Sequence, residues 1–177
     1  MSTVINICIR AFALLWTLLI TALIGNVIAS NRDGSMSAIN YAMFVAALSW
    51  VVSLYGIGSA LMTSIASPIV MVVLDALTLI FSLVSAIVLA AKLRAVDCGN
   101  LSLEHLPSNW IALGSKSVVK RCREVQASTA FMWFLFACFC ASLFFSIMES
   151  QSGGGLGGLS LGRRKGASKP SMSQVAA

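Results

Sequence analysis

GSMSAINYAMFVAALSWVVSLYGIGSALMTSIASPIVMVVL, residues 34–74, contains no Asp, Glu, Lys or Arg. A helix crossing the hydrocarbon core of a bilayer needs ~20 apolar residues, so this stretch is about twice the length of one span. It therefore reads as two spans, about 38–60 and 67–91, parted by the short segment Leu61–Ala66. Pro68 sits in the first turn of the second of these, where its missing N–H is tolerated. Beyond Asp75 the chain is again free of charge from Ala76 to Ala91. On the N-terminal side, CIRAFALLWTLLITALIGNVIA, residues 8–29, supplies a first span that closes at SNRDGS, a cluster of turn formers and charges. On the C-terminal side, residues 125–148 carry no charge and are rich in Phe and Trp, which gives a fourth span at about 126–148. The four spans form a transmembrane domain over residues 1–148. A polar loop, 92–125, joins the third span to the fourth, and a flexible, basic Gly/Ser-rich tail fills 149–177.

Composition agrees. Hydrophobic residues make up 58% of the chain and charged residues 10%, against about 45–50% and ~25% in soluble domains. A soluble fold of single-domain length could not hide so much apolar surface. The expected class is an all-α membrane protein with four transmembrane helices. The first span is read as retained rather than cleaved: it is longer than a signal-peptide core, and its one basic residue, Arg10, lies inside the apolar run.

Sidedness is contested within the sequence. Four spans put both termini on one side of the membrane. Arg10, Arg163, Arg164, Lys165 and Lys169 lie on that side; Arg32, Lys92, Arg94, Lys116, Lys120, Arg121 and Arg123 lie on the other. The positive-inside rule would place the large loop in the cytosol. Cys98 and Cys122, which bracket that loop, instead suit a disulfide in an oxidising compartment. The single sequon, Asn100-Leu101-Ser102, is a glycosylation candidate in the same loop.

INYAMF (residues 39–44), SLYG (53–56), LDALTLIF (74–81), KLRAVDC (92–98), RCREVQASTAF (121–131) and SQV (173–175) follow one another along the chain. In this order and spacing the sequence resembles the fungal non-classical export protein 2 family, tetraspan proteins of the MARVEL type. Two alanines follow SQV here, a departure from the family ending. The resemblance implies a MARVEL-like four-helix bundle with both termini cytosolic and the large loop outside. It also implies a plasma-membrane protein of furrow-like domains, the eisosomes, linked to sphingolipid signalling and unconventional secretion. Membrane lipids, sphingolipid or sterol among them, and copies of itself or eisosome proteins are the implied partners. No nucleic-acid partner and no cofactor are expected.

Charges inside the spans are rare and costly, about 2.5–3.5 kcal/mol at the bilayer centre on insertion scales. Arg10, near the start of the first span, and Asp75, about eight residues into the third, fall at similar depth near the cytosolic end. They are candidates for an intramembrane ion pair. The competing reading has Arg10 snorkelling to the headgroups and Asp75 protonated or bonded to a hydroxyl. Gly56 and Ala60 form a small-xxx-small pair suited to helix packing. In the tail, Arg163, Arg164, Lys165 and Lys169 form a cluster that either attracts anionic lipid or acts as a topogenic signal.

Nothing points to an enzyme. Gly153, Gly155 and Gly158 match G-x-G-x-x-G but follow no strand, His105 has no ligand set around it, and no nucleophile has a visible base. The leading function is membrane organisation; the alternative is a small transporter or channel. Such a protein needs polar residues along one face of several spans, and the Ser and Thr residues here read as scattered.

Overall fold

A computed structural model describes residues 2–32, 36–61, 67–94, 97–99, 110–113 and 117–152. The described residues form four helices: α1 (Ser2–Ala29), α2 (Ser37–Leu61), α3 (Pro68–Leu93) and α4 (Val118–Ser152). All four are long and apolar enough to cross a membrane. Each packs against its chain neighbours, and α4 closes the ring by packing against α1. Neighbours are antiparallel, so α1 and α3 run one way and α2 and α4 the other. The helix of α4 begins before the uncharged run, at Val118 rather than 126. The connection after α3 is thus 94–117 rather than 92–125. Lys120, Arg121, Arg123 and Glu124 need water or partners, and helical backbone lets them project above the apolar segment while the chain stays hydrogen-bonded.

The helix ends follow local rules. Ser67, in extended conformation, precedes Pro68 at the first helical position of α3. At the other end Arg94 adopts a left-handed conformation, φ 59°, and donates its N–H to the Ala90 carbonyl at 3.1 Å. That closure satisfies a terminal carbonyl that would otherwise be orphaned.

Buried positions recur at alternating steps of three and four, the spacing of left-handed helix bundles. In α1 they are Arg10, Ala13, Thr17, Ile20, Ile24 and Val27; in α2, Ile39, Ala42, Ala46, Ser49, Ser53 and Gly56. In α3 they are Met71, Asp75, Thr78, Ser82, Ser85 and Leu89, and in α4 Val125, Ser128, Met132, Leu135, Phe139, Ser142 and Ser146. The hydroxyls are therefore not scattered: they fall on the inner seams. Bulky side chains point outward instead. Ile80, Val84 and Ile87 of α3, Val51 and Leu54 of α2, and Trp133, Phe134 and Phe144 of α4 are all exposed. In water this would be inside-out. In lipid, burying apolar groups gains nothing, so small and hydroxyl residues take the interfaces where backbones come close.

Most inner hydroxyls are satisfied by their own helix. Thr17 donates to the Ala13 carbonyl at 2.7 Å, Ser49 to Val45 at 2.8 Å and Thr78 to Leu74 at 2.8 Å. Between helices, Trp50 Nε1 donates to Thr21 Oγ1 at 3.2 Å, and Trp16 stacks on Phe131 and Phe134 with ring centroids 5.5 and 5.0 Å apart.

Candidate functional site

The charged centre of the bundle is built from all four helices. Asp75 on α3 and Arg10 on α1 meet in bidentate geometry, Nη1 to Oδ1 at 3.2 Å and Nη2 to Oδ2 at 2.8 Å. Their side chains are 0% and 1% exposed. Asn6, one turn before Arg10, accepts from its Nε at 3.1 Å. Ser146 on α4 donates to Asp75 Oδ2 at 2.8 Å. Gly56 on α2 completes the layer: a Cβ there would overlap Nε, Cζ and Nη1 of Arg10. The glycine thus seats a guanidinium, and the helix-packing role expected of it is exerted through that side chain. Ala60, one turn on, is half-buried.

Parts of both readings of the charges meet in this arrangement: the Arg10–Asp75 ion pair, and beside it a hydroxyl bonded to Asp75. Arg10 points inward to a carboxylate rather than outward to headgroups, and Asp75 accepts three hydrogen bonds. A fork-to-fork arginine–carboxylate pair has two parallel charge-assisted bonds. Such a pair recovers its desolvation cost only with further hydrogen bonds around it; Asn6 supplies one to the guanidinium and Ser146 one to the carboxylate. Ser146 and Asn6 had no part in the sequence expectation. Asn6 was legible in principle from its i, i+4 spacing to Arg10; Ser146 required the helix arrangement.

At the opposite end Cys98 and Cys122 are joined by a disulfide with Cα atoms 5.7 Å apart. It links the turn after α3 to the first turns of α4. The segment between is not wholly polar. Trp110, Ile111 and Ala112 are buried against the bundle end, and Trp110 Nε1 donates to the Leu93 carbonyl at 3.2 Å. Arg121, 2% exposed, donates from Nη1 to Asn31 Oδ1 at 3.0 Å and from Nη2 to Met36 Sδ at 3.6 Å, pinning the α1–α2 connection to α4. Asn26 of α1 donates to Glu124 of α4 nearby. In the sequence Arg121 stands out only as one of the charges that bear on sidedness. The RCR element that contains it holds both the disulfide cysteine and this clamp. Asn100, His105, and Arg163, Arg164, Lys165 and Lys169 lie outside the described residues.

Residues 3–145 match the MARVEL family, described as a membrane-associating domain. The chain belongs to the MARVEL family. This MARVEL chain is 36% identical over 143 residues to the non-classical export protein 2 of Saccharomyces cerevisiae, covering 78% of this chain and 80% of that protein. It is 35% identical over 171 residues to the non-classical export protein 102 of Candida albicans, covering 96% and 97%. A Schizosaccharomyces pombe homologue of non-classical export protein 2 is 26% identical over 123 residues, or 69% and 64% of the two chains. No solved structure matches. The MARVEL assignment and the four apolar helices together make this a multi-pass membrane protein.

Proposed function

We propose that this MARVEL protein is a non-enzymatic organiser of the plasma membrane that shapes furrow-like domains of the eisosome type. In this reading both termini are cytosolic and the disulfide end faces outward. Its partners are membrane lipids, sphingolipid or sterol among them, together with copies of itself and eisosome proteins. A link to sphingolipid sensing and to unconventional secretion follows from the same reading, the latter in keeping with the relatives' names.

One observation carries the proposal: the inner polar groups are engaged largely within the bundle, by the ion pair and by their own helix carbonyls, while the outward faces offer bulky apolar surface. Asp75 is occupied by Arg10 and Ser146, and most inner hydroxyls by their own helix carbonyls. What remains to meet the surroundings is Leu, Ile, Val, Phe and Trp, the surface of a protein whose interactions are with lipid and other spans. A transporter or channel would need polar lining through the full thickness. Here the half nearer the disulfide is filled by Ile24, Val27, Leu89 and Met132. Ser128 and Thr129 in that half are tied to the Glu124 and Val125 carbonyls at 2.7 and 2.8 Å.

Imaging a fluorescently tagged copy in its native cell tests the organiser reading. A patchy, immobile pattern at the cell surface is expected. Uniform retention in the endoplasmic reticulum would overturn it.

A further inference from the structure

We infer that the bundle contains a buried hydration site one turn above the Arg10–Asp75 pair, between Ser53 of α2 and Ser142 of α4. Its ligand is a small neutral hydrogen-bonding molecule, water, held in the membrane interior.

The position of the site follows from helix register. Contacts among Arg10, Gly56, Asp75 and Ser146 define one cross-section of the bundle. One turn toward the disulfide end, the inner seams present Ala13, Ser53, Thr78 and Ser142, each 0–1% exposed. All four side chains are small. The flanking cross-sections carry an arginine on one side and Phe139 on the other. Interiors are packed to near-crystalline density, and a layer of four small side chains between layers carrying Arg10 and Phe139 is where a small molecule fits with least displacement.

The chemistry of the lining identifies the occupant. Thr78 is satisfied by the Leu74 carbonyl. Ser53 Oγ and Ser142 Oγ are fully buried and have no hydrogen-bond partner. Such hydroxyls are uncommon, because an unmade bond in a low-dielectric interior costs the desolvation of the group. Thr17, Ser49 and Thr78 show the usual remedy, a bond to the carbonyl one turn back; Ser53 and Ser142 do not use it. Two orphan hydroxyls on the diagonally opposite helices α2 and α4 supply donors and acceptors without charge. The adjacent ion pair is already neutral, so neither a cation nor an anion is favoured. Buried water typically makes about three bonds to groups of this kind. Ser85 Oγ, also buried without a partner, lies further along the same α3 seam. Beyond it Ile24, Leu89 and Met132 close the axis, so the hydrated pocket is a dead end rather than a pore.

Water-edited solid-state NMR on the full chain in lipid vesicles reads the site directly. Polarisation transfer from water to the Ser53, Thr78 and Ser142 side chains should approach that of exposed Lys120. Transfer as slow as at Ile24 and Leu89 would overturn the inference. The paired substitution Ser53→Ala with Ser142→Ala gives a second, opposite-signed reading. If the hydroxyls hold water, transfer to Thr78 is lost and the melting temperature falls by on the order of 2–4 °C. If they are dry orphans, removing them relieves a desolvation penalty and the melting temperature rises, which would also sink the idea. Should the variant fail to assemble, the wild-type measurement decides alone.

Discussion

Arg10 uses all three guanidinium nitrogens, Nε toward Asn6 and the two Nη atoms toward Asp75, and its plane lies against Gly56. Removing either charge leaves the other buried and uncompensated. In soluble cores that costs about 3–5 kcal/mol, while replacing both partners costs far less. Snorkelling and water defects reduce the penalty in membranes, so Arg10→Gln and Asp75→Asn are each expected to cost about 1–3 kcal/mol. The double variant should be milder than the sum, measured by thermal unfolding in nanodiscs for all four proteins. Strict additivity would show that the residues do not interact. Gly56 supplies an independent check. Gly56→Ala places a methyl where the guanidinium lies and should destabilise by about 1–3 kcal/mol, as overpacking does. In an Arg10→Ala background the same substitution should be nearly neutral. Equal cost in both backgrounds would detach Gly56 from Arg10.

The turn after α3 depends on contacts that no single helix contains. It is fixed by the Cys98–Cys122 bond, 24 residues apart in sequence, and by the Trp110 indole on the Leu93 carbonyl. Closing a loop of that length restrains the unfolded chain by ~3 kcal/mol in the entropy model. Reduction should therefore lower the unfolding temperature of the purified protein, while Cys8, Cys138 and Cys140, the free cysteines among the described residues, give no comparable effect. A non-reducing digest of protein from the cell surface should yield the two peptides linked; finding both thiols free there would remove the bond from the account. Trp110→Phe keeps most of the buried area but deletes the indole donor, leaving the Leu93 carbonyl short of a partner. A loss of roughly 1 kcal/mol is expected, in line with one net hydrogen bond.

The proposed orientation belongs to the whole molecule, because four spans fix both ends together. With Cys8, Cys138 and Cys140 replaced, a cysteine introduced at Ser108 should react with a membrane-impermeant reagent in intact, wall-stripped cells. Reaction only after permeabilisation would invert the topology. The basic residues at that end, Lys92, Lys120 and Arg123 among the exposed ones, run against the usual charge asymmetry. Arg121 has another task, since its guanidinium is turned inward to Asn31 and Met36.

The four spans, the all-α class and the shared level of Arg10 and Asp75 were legible in the sequence, because hydrocarbon imposes a length and an aversion to charge that each segment must obey by itself. The start of α4 at Val118 was less legible, since charged residues that rise above the bilayer no longer feel that constraint. The family motifs located the RCR element, but not the division of labour within it between Cys122 and Arg121. What only the tertiary structure decided is which residues face one another. Ser and Thr that look dispersed along four spans become an inner seam only when the helices are set in register. Ser146 becomes Asp75's second donor, and Gly56 the seat of an arginine, in the same way. Each of these depends on rotation and offset between helices, set by side-chain packing across the bundle, and one helix's sequence carries no record of its neighbour's phase.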